Sequence, residues 1–140
     1  MSYKLFLDDV RRPETTFQYM GLPVFNDSNW IIVRNYYAFI SLIEKKGIPE
    51  VIAFDHDLAD EHYKKQDFDY NKEDAEKTGY HCAKWLIDYC MDNELELPYE
   101  IIIHSMNPYG SENIKSLFDT YFKVYNIEHS AIKLNPYFRK

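Results

Sequence analysis

Glycine is scarce in this chain, with four in 140 residues. No glycine-rich loop of the kind that cradles nucleotide phosphates can be assembled from so few. No serine stands between glycines as a nucleophile elbow. Cysteine is scarcer still, and paired-cysteine metal motifs are absent. Cys82 and Cys90 both fall in one expected helix, where a rise of about 1.5 Å per residue sets them roughly 12 Å apart, too far for a disulfide. They read as reduced core residues, which suits a cytoplasmic protein. Apolar runs are short, far below the roughly 20 residues a membrane-spanning helix needs. The N-terminus enters a strand without a basic segment followed by a long apolar one, so neither a leader nor a membrane partner is expected. Positive charge is also in deficit: 16 Lys and Arg stand against 23 Asp and Glu, a net charge of −7. Extended duplex nucleic acid needs a basic surface for counterion release, so that class of partner is excluded. A single nucleotide, a small phosphate or an RNA terminus is not. Nothing in the sequence sets the oligomeric state.

Apolar and aromatic matter is abundant. Hydrophobic residues make up 46% and aromatics 17% of the chain, with 13 tyrosines. That is enough for a real core, and the length fits one domain over 1–140. Tyrosines supply large contact area with polar tips, which suits half-buried positions.

Strands and helices alternate along the chain. Tyr3 to Leu7 reads as a strand ending in Asp8-Asp9. A short helix is expected around Thr15 to Met20, within a stretch of turn signals that includes Gly21, Pro23 and Asn26 to Asn29. Trp30 to Val33 is a second strand. Asn35 caps a helix from Tyr36 to Lys46, whose stripe is Tyr36, Phe39, Ile40 and Ile43, with Gly47 at its stop. Val51 to Phe54 is a third strand, ending in Asp55-His56-Asp57. A charged stretch from Leu58 to Lys77 follows; loops of about 20 residues inside compact domains are often functional, and this one is expected to be a loop or lid. Thr78 is placed as N-cap of a helix from Gly79 to about Asn93. Ile101 to Ile103 is a fourth strand, ending in His104-Ser105. Asn107 to Gly110 reads as a turn, and Ser111 as the cap of the next helix. A last short strand is placed at Ser130 to Leu134. Near-continuous apolar strands followed by helices indicate a parallel sheet covered on both faces.

Three strands therefore end in polar groups. In an open α/β sheet, ligands bind outside the carboxyl ends of the strands, so residues distant in sequence converge on one rim. Asp8, Asp9 and Asp55 form a half-shell for Mg²⁺ or Mn²⁺, hard ions that take carboxylates together with water and phosphate oxygens. Any one of these aspartates could simply start a loop by bonding local backbone; three at one rim favour the ion. His56 and His104 are candidates for general base and acid, since imidazole titrates near pH 6.5. Ser105 adds a hydroxyl beside His104. Strand alternation would set His56 opposite Asp55 and Asp57. Thr78-Gly79 is either an anion-binding helix start or an ordinary cap. Arg11 either reaches a phosphate with its fork or neutralises the acids. Asn107 either binds a ligand or begins the Asn-Pro turn. His62, His81 and His129 read as surface or packing residues.

Four ordered segments, Leu5-Phe6-Leu7-Asp8-Asp9-Val10-Arg11, Phe54-Asp55-His56-Asp57-Leu58, Thr78-Gly79-Tyr80 and His104-Ser105-Met106-Asn107-Pro108-Tyr109-Gly110, resemble the cyclic-phosphate-processing receiver-like domain family. The resemblance spans roughly residues 4 to 115. It implies a receiver-like (flavodoxin-like) α/β three-layer sandwich with a five-stranded parallel sheet in the order 2-1-3-4-5. It also implies a role on cyclic phosphates, at RNA ends or on nucleotides. The family's acids would map to Asp8, Asp9, Asp55 and Asp57, its histidines to His56 and His104, and its Thr-Gly pair to Thr78 and Gly79. The chain is also similar to phosphorelay receivers, in which Asp55 would accept a phosphoryl group and Ser105 and Lys133 would sense it. Against that role, His56 and Asp57 crowd the acceptor, and Lys133 is not followed directly by proline. The expectations are, in order, a metal-assisted phosphoesterase, a phosphate- or nucleotide-binding module without turnover, and a phosphorelay receiver.

Overall fold

The computed structural model describes residues 2–58 and 77–133. Four strands of four residues form the body of a parallel sheet: β1 (Lys4–Leu7), β2 (Trp30–Val33), β3 (Val51–Phe54) and β4 (Glu100–Ile103). Their order is β2-β1-β3-β4, and a two-residue strand, β5 (Ile132–Lys133), pairs with the outer side of β4. Among the described residues, the strand expected over Ser130 to Leu134 covers only Ile132–Lys133. The Ser130 N–H is turned onto the His129 ring at 2.8 Å, and the Ala131 carbonyl accepts from Lys115. Leu134 lies outside the described residues, as does most of the stretch expected to form a lid.

The helices are α1 (Pro13–Met20), α2 (Tyr36–Lys46), α3 (Gly79–Asp92) and α4 (Pro108–Val124), with a 3-10 turn at Pro23–Asn26. Two of them match expectation closely. Asn35 caps α2 by accepting from the Ala38 N–H, and Thr78 caps α3. The start of α4 is a correction. Asn107 caps it, accepting from Gly110 N–H at 2.9 Å, and Pro108 occupies the first helical position. Proline is well suited there because its missing N–H would have had no helical partner. The four residues read as a turn are therefore the helix start. Ser111 sits one turn inside, buried, and donates to the Ser105 carbonyl.

Side-chain alternation sorts the strands into two cores. Leu5, Leu7, Ile52, Phe54, Ile101 and Ile103 face the larger one, packed with Phe39, Ile43, Leu86, Ile114 and Phe118 from α2, α3 and α4. Phe6, Val51, Ala53 and Ile102 face the smaller one, covered by Met20 of α1 and Phe25 of the 3-10 turn. Parallel register aligns Leu7 with Phe54 and Phe54 with Ile103. One residue further, the backbone continues in step, with Asp55 N–H on the Leu7 carbonyl and His104 N–H on the Phe54 carbonyl. Asp8, Asp55 and His104 thereby form a row at the carboxyl edge, on the face of the smaller core.

Candidate functional site

Asp8 is the fixed point of this row. It has no exposed surface. Its Oδ1 accepts the main-chain N–H groups of Val10 at 2.9 Å and Arg11 at 2.7 Å. Its Oδ2 lies 2.9 Å from His104 Nε2 and 3.5 Å from Arg11 Nη1. Burial by itself would raise the Asp8 pKa, but the bonds from His104 and the two N–H groups outweigh it and lower it to about 2. An ionised carboxylate only accepts, so His104 Nε2 carries the proton and donates.

His104 also has no exposed surface. Its ring lies flat on Phe6, centroids 4.6 Å apart, with Phe25 edge-on. Burial pushes its pKa down, opposed by Asp8. Its Nδ1 is buried with no hydrogen-bond partner among the described residues. A ring sealed this way is not exposed to the cleft, which counts against the acid–base role expected of it, and its hydrogen-bond partner among the described residues is Asp8.

A cleft of about 210 Å³ opens above the row, lined by Asp9, Val10, Arg11, Asp55, Asp57, Ser105, Met106 and Asn107. Asp8, Asp9 and Asp55 each bring a carboxylate oxygen within 4.8 Å of the others. Asp55 is 3% exposed. Burial, then the charges of Asp8 and Asp9, push its pKa up to about 7, against the His56 N–H and Arg11. The Arg11 guanidinium offsets part of the cluster's negative charge, and the all-oxygen donor set fits a hard divalent ion.

Asp57 stands on the exposed side. His56 Nδ1 lies 2.8 Å from Asp57 Oδ1, and Asn107 Nδ2 reaches both carboxylate oxygens at 3.3 and 3.4 Å. The His56 ring packs against Gly110, where an added Cβ would overlap it. His56 is outside the cleft lining but bonded to Asp57 rather than set opposite it, because the strand ends at Phe54 and alternation does not extend past it. Ser105 lines the cleft, its hydroxyl accepting from Asn107 N–H at 3.1 Å. Asn107 is thus both helix cap and cleft wall.

Thr78-Gly79, expected as either an anion-binding helix start or an ordinary cap, forms the cap. Gly79 N–H donates to the His56 carbonyl at 2.8 Å, Tyr80 N–H to the Thr78 hydroxyl, and Thr78 N–H to His81 Nδ1. These donors are spent inside the fold, and neither residue lines the cleft. Gly79 instead lets α3 press on β3: any Cβ there would collide with the Asp55 carbonyl oxygen. His81 completes a capping box. His129 stacks on Phe122 and bonds the Pro98 carbonyl. His62 lies outside the described residues. Lys133 pairs with Ile103 through the backbone, close to the same edge.

Two contributors escaped the sequence reading. Arg34, just past β2, donates from Nη1 to the carbonyls of Asp8 at 3.1 Å and Arg11 at 2.7 Å, fixing the loop that carries both acids. Tyr19 of α1 donates to the His104 carbonyl at 3.2 Å and places its ring 5.6 Å from the Arg11 guanidinium. Neither belongs to a motif. Cys82 and Cys90 are free and buried, as expected of core residues. No helix among the described residues is long and apolar enough to cross a membrane.

A family model described as the cyclic-phosphate processing receiver domain matches residues 3–120. No curated protein and no solved structure matches the chain.

Proposed function

The chain belongs to the cyclic-phosphate processing receiver family, and on that premise we propose that its rim holds Mg²⁺ or Mn²⁺ on Asp8, Asp9 and Asp55 and opens a cyclic phosphate, carried by a small molecule or an RNA end. The observation that carries this reading is the convergence of three carboxylate oxygens within 4.8 Å at a cleft that also contains Arg11 and Asp57. A bound ion would stabilise negative charge developing on the phosphate oxygens. Arg11 supplies a guanidinium fork for the phosphate. Asp57, exposed and braced by His56 and Asn107, is placed to take the proton of an attacking water. Water adds to phosphorus as its proton passes to Asp57, one ring P–O bond breaks, the released ring oxygen takes a proton back from Asp57 or from solvent in the cleft, and a phosphomonoester remains. His104 holds Asp8 ionised and aimed, the outer-shell role histidine often shares with carboxylates.

The test is incubation with a short RNA bearing a 2′,3′-cyclic phosphate, with Mg²⁺, with Mn²⁺ and with chelator, resolving the ends by mass. Metal-dependent opening of the ring, at least about 100-fold slower in Asp9→Asn, is the expected outcome. Retention of the RNA without any product would move the protein to the class of phosphate-binding modules. Single-site labelling of Asp55 by acetyl phosphate would move it to the phosphorelay receivers.

A further inference from the structure

Each oxygen of Asp8 has two lone-pair positions, and the structure accounts for all four. Oδ1 is filled by the N–H groups of Val10 and Arg11, at 2.9 and 2.7 Å. Oδ2 holds His104 at 2.9 Å in one position and the Arg11 guanidinium in the other. The first three contacts are short and come from groups fixed by the backbone or the core. The fourth is different. Arg11 Nη1 stands 3.5 Å away, beyond the roughly 2.7–2.9 Å of a tight charge-assisted bond, and it is a single contact where arginine and carboxylate commonly make two. Arg11's side chain is one-third exposed. A metal ion that uses Asp8 must take the position Arg11 holds.

We propose that Arg11 is an exchangeable cation: in the ion-free protein its guanidinium occupies the acid cluster, and a divalent ion displaces it into the cleft, where it becomes the phosphate clamp. This deepens the reading given above and rests on it for the identity of the anion. Among the described residues Arg11 is also the only Lys or Arg lining the cleft, so of these it alone can play both parts.

The surroundings allow the side chain to move without the loop. Arg11's own N–H is tied to Asp8 and its carbonyl to Arg34 at 2.7 Å, so the main chain stays put. The Tyr19 ring, 5.6 Å from the guanidinium, offers it a cation–π surface that does not depend on Asp8. Asp8 retains three short hydrogen bonds when Arg11 leaves. The ion and the anion then assist one another. An ion that releases Arg11 raises affinity for phosphate, and by linkage phosphate raises affinity for the ion by the same factor.

The experiment measures Mn²⁺ binding by electron paramagnetic resonance of the free ion, and orthophosphate binding by calorimetry with and without Mn²⁺, in the full chain and in Arg11→Gln and Arg11→Lys. The expected result is opposite in sign for the two ligands. Arg11→Gln binds Mn²⁺ about 5-fold or more tightly, while losing the Mn²⁺-dependent gain in phosphate affinity that the unaltered chain shows. Arg11→Lys keeps a competing cation, so its Mn²⁺ affinity stays near that of the unaltered chain; this variant carries the test if Arg11→Gln fails to fold. Equal or weaker Mn²⁺ binding in Arg11→Gln, or a gain in Arg11→Lys as large as in Arg11→Gln, overturns the proposal. Failure of the RNA assay alongside the expected Mn²⁺ and phosphate pattern would leave the exchange standing and remove only the cyclic-phosphate reading. Absence of Mn²⁺ binding in all three proteins would overturn both.

Discussion

The two walls of the cleft are built on opposite plans. The β1 wall is closed. Asp8 has no exposed surface, His104 is sealed beneath it, and Arg34 pins the backbone of the loop from outside. The β3–β4 wall is open. Asp57 has a side chain about half exposed, and its contacts to Asn107 are long, at 3.3 and 3.4 Å. A rigid, dry carboxylate suits holding a cation in one place, because no reorganisation is needed when charge arrives. A wet, loosely braced carboxylate suits exchanging protons with water. Under the proposed function the same residue type serves both ends, and burial decides which.

The contrast is broken most severely at His104. His104→Ala removes the partner of a buried charge and leaves a cavity against Phe6, with an expected loss of about 3–5 kcal/mol in stability. Chemical denaturation without metal measures it. His104→Gln restores an N–H near the Nε2 position, and is expected to recover Mn²⁺ affinity and to retain turnover within about tenfold. Loss of all turnover in a folded, metal-binding His104→Gln would return proton transfer to that ring.

A smaller effect is expected at Asp55, where the walls meet. Its folded pKa is raised from 3.8 to about 7. The native protein then binds more protons than the unfolded chain between those values, so the contribution of Asp55 to stability falls as pH rises through that window. Asp8 has the opposite sign: its lowered pKa contributes stability that is lost as pH falls from about 4 towards 2. Without metal, Asp55→Asn is expected to be more stable than the unaltered chain at pH 8, by roughly 1–4 kcal/mol, and level with it near pH 4. Thermal melts at the two pH values measure the difference, and equal melts at pH 8 would show that Asp55 is not under charge strain. The smallest expected effect lies on the open wall. Asn107→Ala removes a helix cap and one brace of Asp57, costing about 1 kcal/mol and a few-fold in turnover.

How much of this was legible depends on whether a contact follows strand periodicity. The rim acids were legible because aspartates followed two apolar runs and a histidine a third, and parallel register carries such ends to one edge. Alternation also predicts that Asp8, Asp55 and His104 share a face, although it cannot show that the imidazole lies down on Phe6 and leaves solvent. Arg34 and Tyr19 were illegible because a side chain bonding distant carbonyls, 26 and 85 residues away, leaves no local pattern. Thr78-Gly79 was legible as a cap, but its donors turned out to be consumed by His56, Thr78 itself and His81. At Asn107-Pro108 two signals competed. Asn-Pro marks turns, but the same pair is also an N-cap followed by its favoured first residue, and the apolar face of α4 decided between them.

The close seat of Gly79 on the Asp55 carbonyl has a consequence for how such a protein changes over time. The chain leaves the sheet after His56 and is stitched back to it by Gly79 N–H on the His56 carbonyl at 2.8 Å. Whatever lies between is thereby a closed excursion whose two ends meet at one knot. Asp8, Asp9 and Asp55 sit on the sheet side of that knot and Asp57 and Leu58 directly beside it, so the sequence between Leu58 and Lys77 can be lengthened, shortened or replaced at little entropic cost to the fold. Selection can therefore alter that sequence as one heritable cassette, while the charge arrangement of the three acids passes unchanged from one descendant to the next.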